Sequence, residues 1–222
     1  MDARTRRNAG RSGGGSSTGG AIRGAVQAPT ASRVLDAAER LVQVRGFNGF
    51  SYADIAAELQ ITKASLHYHF ATKADLGEAL IALYAALFFD ELDAADRDGP
   101  SAPAKLSAYA KLYADVLSQR RMCLCGMLAA EYPTLPGPMQ SAVLEFFDHN
   151  ETWLRAVLER GRNDGSLEFT GPARDIARMI ISGLEGAMLV TRPYGDAGRF
   201  RVAADSLLAT LTAPTGQPAP TG

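Results

Sequence analysis

The chain has 222 residues, of which 46% are hydrophobic and 21% charged, enough for one or two domains around a substantial buried core. Its longest nearly uninterrupted apolar run, Ala79 to Phe89, falls well short of the roughly 20 residues that cross a bilayer, so no membrane association is expected. Two cysteines, Cys123 and Cys125, exclude a disulfide framework and a four-thiolate zinc site, and a net charge of −1 taken alone argues against a nucleic-acid partner.

That average hides a gradient, because residues 1–28 carry +4, residues 29–76 are neutral and residues 77–222 carry −5. The basic end includes a Gly/Ser/Thr-rich stretch from Arg11 to Gly20 and lacks an apolar period, which reads as a disordered basic tail able to sit near a polyanion. Its arginines precede no apolar stretch of the kind found in secretory leaders, so the expected location is cytoplasmic. From there on, apolar residues recur at three- and four-residue spacing and nothing alternates with period two, so the fold is expected to be all-α. The spacing predicts helices over 31–46, 52–59, 63–70, 73–97, 102–119, 122–131, 138–163, 172–191 and 199–212, with 213–222 a proline-containing frayed end.

The first three helices are short and closely spaced. Ser51, Thr62 and Thr72 each place a side-chain oxygen where it can cap the helix that follows, and Asp54 and Asp75 stand three residues after two of them. Val34, Ala38, Leu41 and Val42 form one stripe, Ile55, Ala56 and Leu59 a second, and Leu66 with Phe70 a third. Three such stripes joined by tight turns can bury one another, and the turn at Gln60-Ile61 forces a large crossing angle, as in a helix-turn-helix. The outward face of the third helix then carries Lys63, Ser65, His67, Tyr68 and His69.

The segments Val34 to Leu41, Gly46-Phe47, Ser51 to Ala56 and Ile61 to Leu76 closely resemble the N-terminal region of TetR/AcrR-type transcriptional regulators over about 45 residues. This resemblance implies a dimeric repressor whose third helix enters the major groove of double-stranded operator DNA, and a helical C-terminal domain that binds a small inducer. Carried over position by position, it implies base or phosphate contacts for Thr62, Lys63, Ala64 and Ser65. It places His67 where the family often has Tyr, gives backbone contacts to Tyr68 and His69, and gives phosphate contacts to Ser51, Tyr52 and Lys73. Gln60 departs from the glycine common at this turn and is expected to take a positive φ.

The domains are thus expected to be a helix-turn-helix DNA-binding unit over 29–76 and a larger helical ligand-binding and dimerisation unit over 77–212. Helices 138–163 and 172–191 carry more apolar surface than one packed face needs, and Ser182 to Ala187 resembles a penultimate-helix stretch that joins a four-helix dimer interface in many such regulators. Phe147, Leu154, Met179, Ile180, Gly183, Leu184, Ala187 and Val190 are the candidate interface of a homodimer, an intramolecular core being the alternative. For a ligand pocket the candidates are Tyr109, Tyr113, Met122 and Met127, with Phe147 and Trp153 from the next helix, although such stripes also build ordinary cores.

Cys123 joins them because Arg121 to Glu131 looks like the sixth helix of an electrophile-responsive branch of the family. A helix N-terminus beside Arg120 and Arg121 would lower its thiol pKa, whereas the plainer reading makes both cysteines small buried hydrophobes. No metal-ligand spacing, cofactor loop or Ser/His/Asp arrangement appears, so neither metal, cofactor nor catalysis is expected. A helical protein-interaction module without DNA binding and an all-α enzyme are the competing functions.

Overall fold

A computed structural model describes residues 29–212, and the two tails assigned from sequence, 1–28 and 213–222, lie outside the described residues. The described chain is helical, with α1 Thr30–Arg45, α2 Tyr52–Leu59, α3 Lys63–His69, α4 Lys73–Asp98, α5 Ala102–Ser118, α6 Leu124–Ala130, α7 Gly137–Asp164, α8 Ala173–Thr191 and α9 Ala197–Ala209. Single 3-10 turns at Tyr132–Thr134 and Arg192–Tyr194 separate α6 from α7 and α8 from α9. The all-α expectation holds, and the element boundaries fall within three residues of those read from the periodicity.

Each start has a local cause. Thr62 Oγ1 accepts from the backbone N–H of Ser65 at 3.1 Å and opens α3. Thr72 Oγ1 accepts from Asp75 N at 3.1 Å while Asp75 Oδ2 accepts from Thr72 N at 2.8 Å, which closes a capping box at α4. At α2, Asp54 Oδ2 accepts from both the backbone N–H and the hydroxyl of Ser51, each at 2.7 Å, and these bonds hold its carboxyl below the usual range. Gln60 takes the left-handed conformation foreseen for it, with φ 54° and ψ 43°, and the chain turns from α2 into α3 through it.

Val34, Ala38 and Val42 of α1, Ile55 of α2 and Leu66 of α3 are wholly buried, so the three stripes close on one another as a small core. The long α4 leaves this head and continues into the main body, where Leu80, Ile81, Tyr84, Phe88 and Leu92 recur every three or four residues along its buried side. Phe88 meets Tyr109 edge-on at 6.1 Å and Phe146 at 5.2 Å, which joins α4, α5 and α7 through aromatic packing. Behind them α8 lies between α7 and α9.

Sequence periodicity placed the sixth helix at 122–131 and the last at 199–212. The residues before α6 are extended because Met122 N donates to Gln43 O at 3.2 Å, a bond to α1 that periodicity cannot reveal. Asp196 starts α9 two residues earlier than expected by accepting from Gly198 N at 2.9 Å.

Candidate DNA interface and effector cleft

Beginning at the head, α3 presents Thr62, Lys63, Ala64, Tyr68 and His69 to solvent, with Tyr68 85% exposed and Ser65 half-buried. Leu66 anchors the opposite side in the core, so the exposed set is held outward by packing rather than by contacts of its own. Four other residues assigned to DNA contact are engaged within the chain, Ser51 through its two bonds to Asp54 Oδ2. The Tyr52 hydroxyl points its proton between the carbonyls of Phe70 at 2.9 Å and Thr72 at 2.6 Å, and burial, with the Asp75 charge second, pushes its pKa up to about 12. His67 packs at a tilt against Tyr52, with ring centroids 4.9 Å apart, and places Nδ1 3.0 Å from Ala71 O.

Lys73 is the most fully engaged of them. Its ammonium donates to the carbonyl oxygens of Phe47 and Phe50 and lies over both rings, 4.5 and 4.2 Å from their centroids. Burial lowers its pKa, partly offset by Glu131. A lysine so occupied braces the α1–α2 turn; the resemblance that implied a phosphate contact was silent about these partners.

One carboxylate stands at the centre of the contacts between head and body. Glu131 follows the last residue of α6 and accepts from Phe47 N at 2.5 Å and Asn48 N at 3.2 Å. Gly46 is required here twice over, because its φ is +84° and a Cβ would stand 2.7 Å from Glu131 Oε1. Asn48 Nδ2 donates to Thr134 Oγ1 at 2.7 Å, and Arg192 donates to Val44 O from the other side.

In the body, a cleft of about 450 Å³ opens between α6, α7 and α8. Three of the residues expected around a ligand, Met122, Met127 and Phe147, line it. Tyr109, Tyr113 and Trp153 do not, and are instead buried in the core, where Tyr109 and Tyr113 share a hydroxyl–hydroxyl bond of 3.0 Å and Tyr109 stacks on Trp153 at 5.8 Å. Sequence reasoning missed Glu185, Glu151, Arg178 and Gly126, all of which line the cleft. The signal that marked Glu185 was an acidic residue between Leu184 and Met188, both fully buried on an apolar stripe.

Cys123 is also corrected. It caps α6, with Sγ accepting from Gly126 N at 3.4 Å, but it is 2% exposed, and Tyr84 donates to it at 3.7 Å. Burial, reinforced by the nearby Glu185, raises its thiol pKa well above the ordinary value, and Cys125 is raised for the same two reasons. The helix terminus does favour the thiolate, yet desolvation outweighs it. Both cysteines therefore match the description of small buried groups.

The candidate dimer residues divide as well. Leu154, Ile180 and Leu184 are fully buried within the protomer and offer nothing to a partner. Gly183 serves α9, since a Cβ there would meet Leu207 Cδ2 at 2.8 Å. Met179 and Val190 are exposed, Phe147 and Ala187 partly so, and Leu189 and Val202, unremarked in the sequence, are 61% and 68% exposed on α8 and α9.

Burial raises the Glu185 carboxyl to about 7, with the Cys123 thiol drawing it partly back. Facing it are Cys123 and Cys125 from α6, Tyr84 from α4 and Tyr109 and Tyr113 from α5. A folded-state pKa above the unfolded value means that the native chain holds the proton longer, so stability falls as pH rises from about 4.5 to about 7 and is level above that. Glu185→Gln is expected to flatten this segment and to be more stable than the parent at pH 8 by roughly 3 kcal/mol, with no difference near pH 4. Urea midpoints of the two proteins across that range check it.

Similarity to known proteins now gives this geometry a family. The family described as bacterial regulatory proteins of the tetR family matches residues 34–80, and the tetracyclin repressor-like C-terminal domain matches 102–207. The transcriptional regulator AcuR of Cereibacter sphaeroides is 31% identical over 179 residues, spanning 77% of this chain and 80% of that protein. A crystal structure of a TetR-family regulator from Agrobacterium tumefaciens superposes with a TM-score of 0.80 at 34% identity, covering 82% of this chain and 97% of that one. The reduced form of NemR from E. coli shares the fold, with a TM-score of 0.72 at 24% identity over 85% of this chain and all of that one. The chain belongs to the TetR family of transcriptional regulators, DNA-binding proteins whose general activity is ligand-responsive repression.

Proposed function

We propose that this chain acts as a cytoplasmic homodimeric repressor that holds a palindromic operator through α3 of each protomer and releases it when a small molecule enters the cleft between α6, α7 and α8. Residues 29–76 serve as the reading unit and 77–212 as the unit for dimerisation and effector binding. Membership of the family supports DNA binding, and no helix among the described residues is long and apolar enough to cross a membrane. The observation that carries the coupling is Glu131. Met122, Ala129 and Ala130 border the cleft at and around α6, and the next residue grips the turn beside the reading helices.

An effector that shifts α6 would therefore move the turn that positions α2 and α3. By linkage, such a molecule must bind the non-DNA conformation more tightly by the factor through which it weakens operator binding.

Selection of bound sequences from a random DNA library by the full chain tests this. The expected product is a palindrome with half-sites about one to one-and-a-half helical turns apart. Enrichment of no sequence, or of one without two-fold symmetry, contradicts the proposal.

A further inference from the structure

The cleft is apolar along its walls, through Met122, Met127, Phe147, Ile181 and Leu189, and acidic on its floor. Glu185 Oε1 is shut away from solvent and has no hydrogen-bond partner among the described residues. The neighbouring position is bare on its account, since a Cβ on Gly126 would stand 2.2 Å from Glu185 Oε2. Elsewhere in the cleft the charges are already matched: Glu151 accepts from Arg178 at 2.9 Å and from Arg174 at 2.7 Å. Asp148 adds a further negative charge to the lining. Thus Arg178, the one cation of the lining among the described residues, is committed to Glu151, and no basic group among the described residues answers Glu185.

We propose that the cleft is a site for small molecules that combine an apolar body with a cationic amine, the ammonium being received by Glu185. The inference rests on the reading of this cleft as the effector site and specifies the chemistry of its occupant. An isolated buried carboxylate is costly, and a charge-assisted hydrogen bond from an ammonium removes that cost while leaving the apolar part against the methionines, whose flexible thioethers adapt to varied shapes. A carboxylate or phosphate ester in the same place would face Asp148 and Glu185 with like charge. The volume of about 450 Å³ suits a drug-sized molecule.

The test uses three probes of one shape, diphenylpropylamine, diphenylpropanoate and diphenylpropanol, titrated calorimetrically into the full chain at pH 8. The amine is expected to bind at least about ten-fold more tightly than the other two. Glu185→Gln is expected to abolish that preference. Gly186→Leu supplies a second variant, because a Cβ at Gly186 meets nothing within 4 Å and the longer side chain projects into the cleft without disturbing the core. It is expected to exclude all three probes while keeping the thermal midpoint of the parent.

Binding of the carboxylate or alcohol in preference to the amine overturns the charge assignment but leaves the cleft as an effector site. No binding of any probe at millimolar concentration overturns the assignment of the cleft itself. Unchanged amine affinity in Gly186→Leu, with an altered dimer on size-exclusion chromatography, gives the cleft to a second copy of the chain and likewise overturns the proposal.

Discussion

Replacing Lys73 by alanine is expected to destabilise the fold by about 2–3 kcal/mol, lowering the thermal midpoint by roughly 5–10 °C. The ammonium donates to two carbonyls of the α1–α2 turn and lies over two aromatic rings. Charge-assisted bonds of this sort contribute about 1.5–3 kcal/mol, and the cation–π contacts add to them. Removing the side chain also leaves Phe47 and Phe50 facing a void. Arginine is longer and its donors lie in a fixed plane, so its fork cannot sit over both rings and meet the same two carbonyls at once, and Lys73→Arg should recover only part of the loss. Calorimetric melting of the DNA-free protein checks this, and an unshifted midpoint in Lys73→Ala would contradict the bracing role.

The second large effect is expected at the other lysine of the head. Lys63 and Tyr68 stand on the exposed face of α3, which Thr62 caps and Leu66 anchors, so neither is needed for folding. The double substitution Lys63→Ala with Tyr68→Ala should leave the melting midpoint within about 1 °C, because surface changes away from such features rarely exceed ±0.5 kcal/mol. Operator affinity should fall by roughly two to three orders of magnitude at constant salt, each dimer losing four contacts of about 1 kcal/mol. The slope of log affinity against log salt should become shallower by about 2, since each lysine releases close to one counterion. Fluorescence anisotropy across a salt series measures both, and undiminished binding would remove α3 from the interface. The two lysines thus separate a group that holds the head together from one that stands free on its surface.

Most of the architecture was legible because its causes are local. Capping residues at Thr62 and Thr72, the stripes of α1 to α3 and the acceptance of positive φ by Gln60 are all set by neighbours a few residues away. The family resemblance then supplied the order of the elements. What could not be read depends on partners far along the chain. Lys73 looked like a free cation until the carbonyls of residues 47 and 50 were seen beneath it. Tyr52 likewise serves the turn between α3 and α4.

The cleft shows the same limit from the other side. Met122, Met127 and Phe147 were found because apolar residues at helical spacing suit either a core or a pocket, and Tyr109, Tyr113 and Trp153 fell to the core for the same reason. Glu185 was passed over because a single acidic residue in a helix usually faces water. The helix start and the arginine neighbours of Cys123 point to a lowered thiol pKa, whereas exclusion of solvent first, and Glu185 second, raise it.

Glu131 recognises the head only through peptide N–H groups, which every residue but proline possesses. These two bonds are therefore indifferent to the side chains that carry them, while the joint as a whole asks for Gly46 and for the Asn48 amide that donates to Thr134 Oγ1. Hybrid regulators should follow from this: a reading module taken from a relative, bearing its own operator preference, can be spliced onto this sensor provided that a glycine and an asparagine stand at the splice's equivalents of Gly46 and Asn48. Evolution could exchange target sequences along this route while keeping one sensing body, with the joint itself left untouched.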